Sequence, residues 1–228
     1  MNNSGLLKHK VSLVTGGSGD IGRAIAKRLA VEGSNVLITF AGAEDRAERT
    51  LEEIREAGGV AQSFRLDQRD PEDIEKVIAH VQNEFGALDI LVNNAAWNIG
   101  IPFPELNQLT PEIWDRVLET NLRAPFLLSR AAASLLKVGG GHIVNISSAG
   151  GITPGSSSIA YSSSKAGLNH LTRCLAVAMA PDVSVNCVAP GLVEDTRMAN
   201  RLPRAVSEGA KRQARTKKRR PRAKNVPT

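Results

Sequence analysis

Six short apolar segments alternate with longer amphipathic segments through most of the 228-residue chain, and this order constrains the fold most strongly. The apolar segments have the length of buried strands and cover residues 11–15, 35–40, 60–66, 88–93, 142–147 and 183–189. Segments of helical length lie between them, at residues 20–32, 43–57, 71–85, 110–137 and 157–180. Any one apolar run could instead be part of a buried helix, but six in strict alternation favour strands. The sequence therefore predicts an α/β fold, a single domain with a doubly wound parallel sheet and helices on both faces.

Proline and glycine mark several predicted helix ends. Asp70 and Thr110 each precede a proline, the pattern of an N-cap followed by proline in the first helical turn. The alternation of strands and helices stops after residue 189. We assign residues 1–200 to the folded domain, residues 201–213 to a short helix and residues 214–228 to a disordered basic tail, since the tail has too few apolar residues to form a core.

The net charge of +6 comes from the end of the chain. Residues 209–228 contain nine Lys or Arg and no Asp or Glu, which leaves 20 basic and 23 acidic residues in residues 1–208, a net charge of −3. The run KKRRPR resembles a nucleic-acid-binding cluster, but a solvated tail is the simpler interpretation. We therefore expect no nucleic-acid partner.

Cysteine usage and hydropathy indicate the compartment. Cys174 and Cys187 are too few for a disulfide framework and fit a reducing environment. The first ten residues lack the apolar centre of a signal peptide, and no apolar run reaches the roughly 18 residues of a membrane span. The sequence predicts a cytoplasmic protein without a membrane partner. The four histidines lack metal-ligand spacing, so no metal site is predicted.

A glycine-rich turn follows the first predicted strand and opens the first predicted helix. Gly17, Gly19 and Gly22 satisfy the G-x-G-x-x-G pattern of a dinucleotide-binding Rossmann fold, in which backbone N–H groups approach a pyrophosphate. The alternative is a glycine-rich turn that binds nothing. Residues 39–42, after the second strand, contain no acid to hold the ribose 2′-hydroxyl of NAD. This favours NADP(H) over NAD(H), with Arg23 and Arg46 as candidate phosphate ligands.

Tyr161 and Lys165 stand four residues apart on a predicted helix, and hence on one face of it. A neighbouring cation favours the phenolate and lowers the pKa of a tyrosine, which suits proton exchange with an alcohol or carbonyl oxygen. Such spacing also arises by chance on exposed helices. However, Tyr161 is the only tyrosine of the chain, and it follows the fifth strand, at the end of the sheet where doubly wound folds bind ligands.

Several motifs in order resemble the short-chain dehydrogenase/reductase family, in particular its single-domain, 3-oxoacyl-carrier-protein reductase-like branch. They are TGGSGDIG at 15–22, LVNNAA at 91–96, ETNLRAPF around Asn121, NISS at 145–148, YSSSK at 161–165 and VNCVAPG at 185–191. The resemblance implies an NAD(P)-dependent oxidoreductase acting on a small carbonyl compound or secondary alcohol. The cofactor-binding residues that it implies are Gly16, Ser18, Gly19, Asp20, Ile21, Gly22, Asp67, Asn93, Asn94, Ala95, Tyr161, Lys165, Pro190 and Gly191.

The resemblance also implies a role for each of four catalytic residues. Tyr161 is the acid/base, Lys165 lowers its pKa and holds the nicotinamide ribose, and Ser148 hydrogen-bonds the substrate oxygen. Ser148 is preferred to Ser147 because it lies 13 residues before Tyr161, the common spacing in the family. Asn121 would hold a water molecule that links Lys165 to solvent.

The chain departs from the family pattern in four places. Asp20 takes the position of the middle glycine of the cofactor turn, Ala96 replaces the glycine of the NNAG segment, and Thr196 falls one residue later than usual after Pro190 and Gly191. The resemblance also implies that the usual last strand of the sheet is missing. Because of this missing strand, a second interpretation stays open: the chain is a shortened relative that binds the cofactor but has weak or no activity. The helical segments 110–137 and 157–180 resemble the pair that forms family dimers, so the sequence predicts a homodimer rather than a tetramer.

Overall fold

The computed structural model describes residues 5–201 and 208. Its centre is a six-stranded parallel sheet in the order β3-β2-β1-β4-β5-β6. The strands are β1 (Val11–Val14), β2 (Asn35–Phe40), β3 (Val60–Arg65), β4 (Ile90–Asn93), β5 (His142–Ile146) and β6 (Ser184–Val188). The helices are α1 (Asp20–Val31), α2 (Glu44–Glu56), α3 (Pro71–Phe85), α4 (Pro111–Leu118), α5 (Ala124–Ala131), α6 (Ala133–Val138), α7 (Ile159–Met179) and α8 (Arg197–Arg201). The predicted doubly wound fold is confirmed.

Strands β1, β2 and β4 in the middle of the sheet are buried on both faces, which explains why they are nearly continuous apolar runs, whereas the edge strands β3 and β6 are partly exposed. Leu13, Leu37 and Ile143 belong to the core cluster that includes residues of α3, α5 and α7. Val14 and Ile38 belong to the cluster that includes residues of α1 and α2. Successive residues of a strand thus supply opposite layers of helices.

The helix ends follow the predicted signals. The side chain of Asp70 accepts a hydrogen bond from the N–H of Glu72 at 2.9 Å, and that of Thr110 accepts one from the N–H of Ile113 at 3.4 Å. The predicted helix over 110–137 is wrong as a single element. It is interrupted by a π-helical turn, Glu119–Arg123, and by a break between α5 and α6. Pro125, which has no N–H to donate, lies in the first turn of α5.

The chain divides into two compact units, one ending at Ala189 and one beginning at Pro190. In the second unit, Thr196 caps α8: its hydroxyl donates to the carbonyl of Val193 at 2.8 Å and accepts from the N–H of Ala199 at 3.2 Å. Helix α8 begins before the predicted short helix at 201–213. The rest of that segment, apart from residue 208, and the tail at 214–228 lie outside the described residues.

The carboxyl ends of all six strands share one edge because the sheet is parallel. The glycine-rich turn follows β1, Asn94 follows β4, and Ser148 stands two residues after β5. Within the described part of the chain, β6 pairs only with β5 and forms an edge of the sheet. In the same part, no helix is long and apolar enough to cross a membrane.

Candidate active site

The glycine-rich turn packs too closely for side chains. Gly16 has a positive φ of 65°, which favours glycine. A Cβ on Gly17 would lie 2.5 Å from the side chain of Ile38, and a Cβ on Gly22 would lie 2.3 Å from the carbonyl oxygen of Gly16. Gly19 is the N-cap of α1 and supplies no side chain to bond the first amides of the helix. The N–H groups of Gly16 and Gly17 bond Thr39, so the donors that fit a pyrophosphate here are those of the first turn of α1.

Three other predicted cofactor residues lie within or next to this turn. Ser18 is part of it, and Asp20 and Ile21 are the first two residues of α1. Asp20 lines a groove of about 680 Å³ along α1 with Arg23 and Lys27. The same groove is also lined by Arg28, Glu32 and Glu53, so the carboxylate of Asp20 lies among charges of both signs.

A threonine that the sequence analysis did not single out joins the turn to the end of β4. The hydroxyl of Thr15 accepts hydrogen bonds from the N–H groups of Asn94 and Ala95, both at 3.0 Å. The side-chain amide of Asn94 donates to the carbonyl oxygens of Thr15 at 2.8 Å and Gly16 at 3.2 Å. Gln68 donates to the carbonyl of Ala95 at 3.2 Å. Asn94 and Ala95 therefore hold the turn in shape.

Asn93, another predicted cofactor residue, is buried inside the protein. Its side-chain nitrogen donates to Oδ1 of Asn145 at 2.9 Å, and Nδ2 of Asn145 donates to the hydroxyl of Thr172 on α7 at 2.9 Å. All three residues are buried. This chain of bonds fixes the ends of β4 and β5 to the helix that carries Tyr161, so the structure gives Asn93 a supporting position.

Asp67, the predicted adenine contact, is paired with Arg69. Nε of Arg69 donates to one carboxylate oxygen of Asp67 at 3.0 Å, and Nη2 donates to the other at 2.6 Å. This two-pronged pair holds the pKa of Asp67 below its usual value. The carboxylate is therefore ionised at neutral pH and fixed in orientation after β3.

Tyr161 lies in the first turn of α7, which Ser158 caps by accepting the N–H of Tyr161 at 3.2 Å. The tyrosine side chain is buried, and burial raises its pKa, while a hydrogen bond with Ser148 acts in the opposite direction. The hydroxyl of Ser148 also accepts the N–H of Gly150 at 3.1 Å. Ser147 is buried and donates to the carbonyl of Lys165 at 3.1 Å. The structure thus brings Ser148, and not its neighbour, to Tyr161.

Lys165 follows Tyr161 by one helical turn and is 2% exposed. Its Nζ donates to the carbonyl oxygen of Ile146 at 2.7 Å and lies 5.8 Å from the centre of the Tyr161 ring. Burial lowers the pKa of this ammonium to about 8. The burial of the phenol determines the net direction of the Tyr161 pKa, which is upward. That Lys165 lowers this pKa stays a prediction.

Asn121 is fully buried in the π-helical turn and uses its whole carboxamide on protein atoms. Oδ1 accepts the N–H of Trp97 at 2.8 Å, and Nδ2 donates to the carbonyl of Trp97 at 2.9 Å and to the hydroxyl of Ser164 at 3.1 Å. Ser164 in turn donates to the carbonyl of Tyr161 at 2.7 Å. The side chain of Asn121 therefore fixes the loop after β4 to α7, and its predicted role in holding a water molecule stays a prediction.

The two remaining predicted residues are Pro190 and Gly191. They are the first residues of the second compact unit and follow Ala189, the residue after β6.

Comparison with known protein families identifies the family of this chain. The sequence profile of the family described as short chain dehydrogenase matches residues 10–207. The chain belongs to this family.

Similar proteins agree with this assignment. A 3-oxoacyl-[acyl-carrier-protein] reductase of Staphylococcus aureus is 37% identical over 187 residues, covering 81% of this chain and 74% of that protein. A dehydrogenase/reductase structure from Sinorhizobium meliloti 1021 superposes with a TM-score of 0.85 at 40% identity, covering 92% of this chain and 82% of that one. A short-chain dehydrogenase of Burkholderia cenocepacia J2315, solved in complex with NADP, has a TM-score of 0.79 at 34% identity, covering 92% and 90%. This short-chain dehydrogenase is therefore an NAD(P)-dependent oxidoreductase.

Removal of the Asn121 side chain tests its structural role. In Asn121→Ala the N–H and C=O of Trp97 lose their partners beside the fully buried position 121, and we expect the free energy of unfolding to fall by about 2–4 kcal/mol. Urea titration at pH 7 measures the change. Asn186→Ala, at an exposed position of β6, is the matched control and should change stability by less than about 1 kcal/mol. Equal stability of the two variants would contradict the role assigned to Asn121.

Proposed function

We propose that this short-chain dehydrogenase transfers hydride between NADP(H) and a small carbonyl compound or secondary alcohol, with Tyr161 as the acid/base. The observation that carries the proposal is the grouping of Ser148 and Tyr161 beside the carboxyl end of β5, with Lys165 one helical turn from the tyrosine. The nicotinamide, when bound, supplies or accepts the hydride. The protein supplies the proton and positions the oxygen that receives it.

Reduction of a carbonyl requires Tyr161 in its protonated form. A raised pKa keeps the Tyr161 phenol protonated at neutral pH, so that it can donate to a carbonyl oxygen as negative charge develops there. Ser148 is placed to donate a second hydrogen bond to the same oxygen. Oxidation of an alcohol requires the phenolate instead, and Lys165 is the cation near enough to stabilise it, at 5.8 Å from the ring centre.

The preference for NADP(H) rests on residues 39–42, where no acid would oppose a 2′-phosphate. Arg23, one of the two candidate phosphate ligands, already forms an ion pair. Arg23 pairs with Glu53 at 3.0 Å, and Glu53 also pairs with Lys27 at 2.7 Å. These two cations hold the pKa of Glu53 below its usual value, so the ion pairs persist at neutral pH.

The proposal also includes the cytoplasmic location and the homodimer predicted from the sequence.

A coenzyme assay tests the function. The purified chain should oxidise NADPH, followed at 340 nm, in the presence of at least one compound from a panel of 3-oxoacyl thioesters, ketones and aldehydes. We expect kcat/KM for NADPH to exceed that for NADH by about tenfold or more, a difference of about 1.4 kcal/mol. NADPH binding without turnover of any compound would instead support the alternative of a relative that binds the cofactor but has weak or no activity.

A further inference from the structure

Arg65, the last residue of β3, lies beside the first residue after β2. The parallel register pairs Arg65 with Phe40, so the two strands end together. Nε of Arg65 donates to the carbonyl oxygen of Ala41 at 3.4 Å. The guanidinium is therefore placed at the carboxyl end of β2, although it comes from the neighbouring strand.

This end of β2 is where a dinucleotide-binding sheet meets the adenosine ribose of its cofactor, and where an NAD-binding fold carries an acid. Here Ala41 and Gly42 occupy the place of that acid, and both are exposed. A Cβ built on Gly42 would meet no atom within 4 Å, so the surface beside Arg65 has room for a bulky group. A planar guanidinium next to such an opening suits bidentate binding of a phosphate.

The other nearby cations are less suited to this role. Arg23 and Lys27 share the carboxylate of Glu53 and would have to leave it. Arg46 lies in the first turn of α2, directly after Glu44 and Asp45. Arg65 is exposed, and among the described residues its side chain bonds only the carbonyl of Ala41, so its positive charge is not neutralised by an ion pair there.

We propose that Arg65 binds the 2′-phosphate of NADP(H) and determines the choice of cofactor. This inference rests on the NADP(H) preference proposed above and assigns that preference to a residue of β3 rather than to the loop after β2. The contact is electrostatic and local to the adenosine end of the cofactor. Arg65 therefore affects the coenzymes with and without the phosphate differently, while the chemical step stays the same.

Substitution of Arg65 tests the inference by steady-state kinetics with both coenzymes. Arg65→Met should lower kcat/KM for NADPH by roughly 10- to 100-fold, because a charge-assisted bidentate contact is lost, and leave kcat/KM for NADH within about twofold. Arg65→Lys keeps the positive charge, so its kcat/KM for NADPH should lie between the values of the unsubstituted enzyme and Arg65→Met. Arg55→Met, which removes an exposed arginine from the last turn of α2, is the matched control and should change neither value.

Two inhibitors make the test independent of hydride transfer. Adenosine 2′,5′-bisphosphate carries the 2′-phosphate, and 5′-AMP lacks it. Arg65→Met should weaken inhibition by the first roughly tenfold and leave inhibition by the second unchanged. Equal effects on both inhibitors, or none, would overturn the inference. If the unsubstituted enzyme prefers NADH and 5′-AMP, the proposed NADP(H) preference is itself wrong. If the enzyme is active and prefers NADPH but Arg65→Met changes neither its kinetics nor its inhibition, only the role of Arg65 is wrong.

Discussion

Tyr161→Phe is expected to lower kcat by about a thousandfold or more while NADPH binds as before. The substitution removes one oxygen atom, the proton donor to the substrate, and proton transfer by a positioned side chain contributes about 10²–10⁴-fold to rate. The ring remains in its cluster with Val117 and Ala160, so the fold is preserved. Stopped-flow turnover and fluorescence titration of NADPH measure the two quantities separately.

Ser148→Ala is the companion variant for this experiment. It removes the hydroxyl that bonds Tyr161 and should raise KM and lower kcat by a smaller factor, roughly 10- to 100-fold. Ser147→Ala removes the neighbouring hydroxyl, which bonds only the carbonyl of Lys165 among the described residues, and should leave proton transfer intact. If Tyr161→Phe kept more than a tenth of the normal kcat, Tyr161 would not be the acid/base.

Lys165→Met is expected to remove activity and also to change how stability depends on pH. The pKa of Lys165 is about 8 in the folded protein, against the 10.5 of an ordinary lysine, which applies to the unfolded chain. The unfolded state therefore binds more protons between these values, and the stability of the unsubstituted protein rises as pH increases from 8 to 10.5. The rise due to this one group is about 3 kcal/mol. Below pH 8, the folded protein bears the full cost of burying the charge.

Urea unfolding of the two proteins at about pH 7, 9 and 10.5 measures this effect, since these values extend from below the folded pKa of Lys165 to its unfolded pKa. The stability of the unsubstituted protein minus that of Lys165→Met should increase with pH, because all other titrating groups cancel in the difference. Lys137→Met, at a half-exposed position of α6, is the control and should show no such slope. A pH-independent difference for Lys165→Met would mean that Lys165 is not a buried, destabilised cation.

The sequence predicted the elements of this fold well, because each depends on local signals. Apolar runs mark strands buried on both faces, and Asp70 and Thr110 mark the first turns of α3 and α4. The π-helical turn at Asn121 was missed. It depends on bonds to Trp97 and Ser164, which are distant along the chain, and periodicity does not register such contacts.

The roles of the candidate site residues stay predictions, but the structure shows what each side chain contacts. Ser147 donates to the carbonyl of Lys165, whereas Ser148 lies beside Tyr161, in agreement with the choice made from the spacing. The upward shift in the pKa of Tyr161 could not be predicted, because it comes from burial by the folded chain. The proposed role of Arg65 could have been inferred from the sequence. The residues after β2 lack an acid, and β3 was expected to lie parallel to β2, so that the ends of the two strands meet.

Transfer of an isotopic label tests the central claim most directly. NADPH deuterated at C4 of the nicotinamide, in separate preparations labelled on each face, is mixed with the enzyme and a carbonyl compound that it reduces, and the alcohol is analysed by mass spectrometry. The account predicts deuterium on the carbinol carbon from one of the two preparations, and none above background with Tyr161→Phe. NADPH binding without labelled alcohol from any carbonyl compound, or equal labelling by Tyr161→Phe, would contradict it.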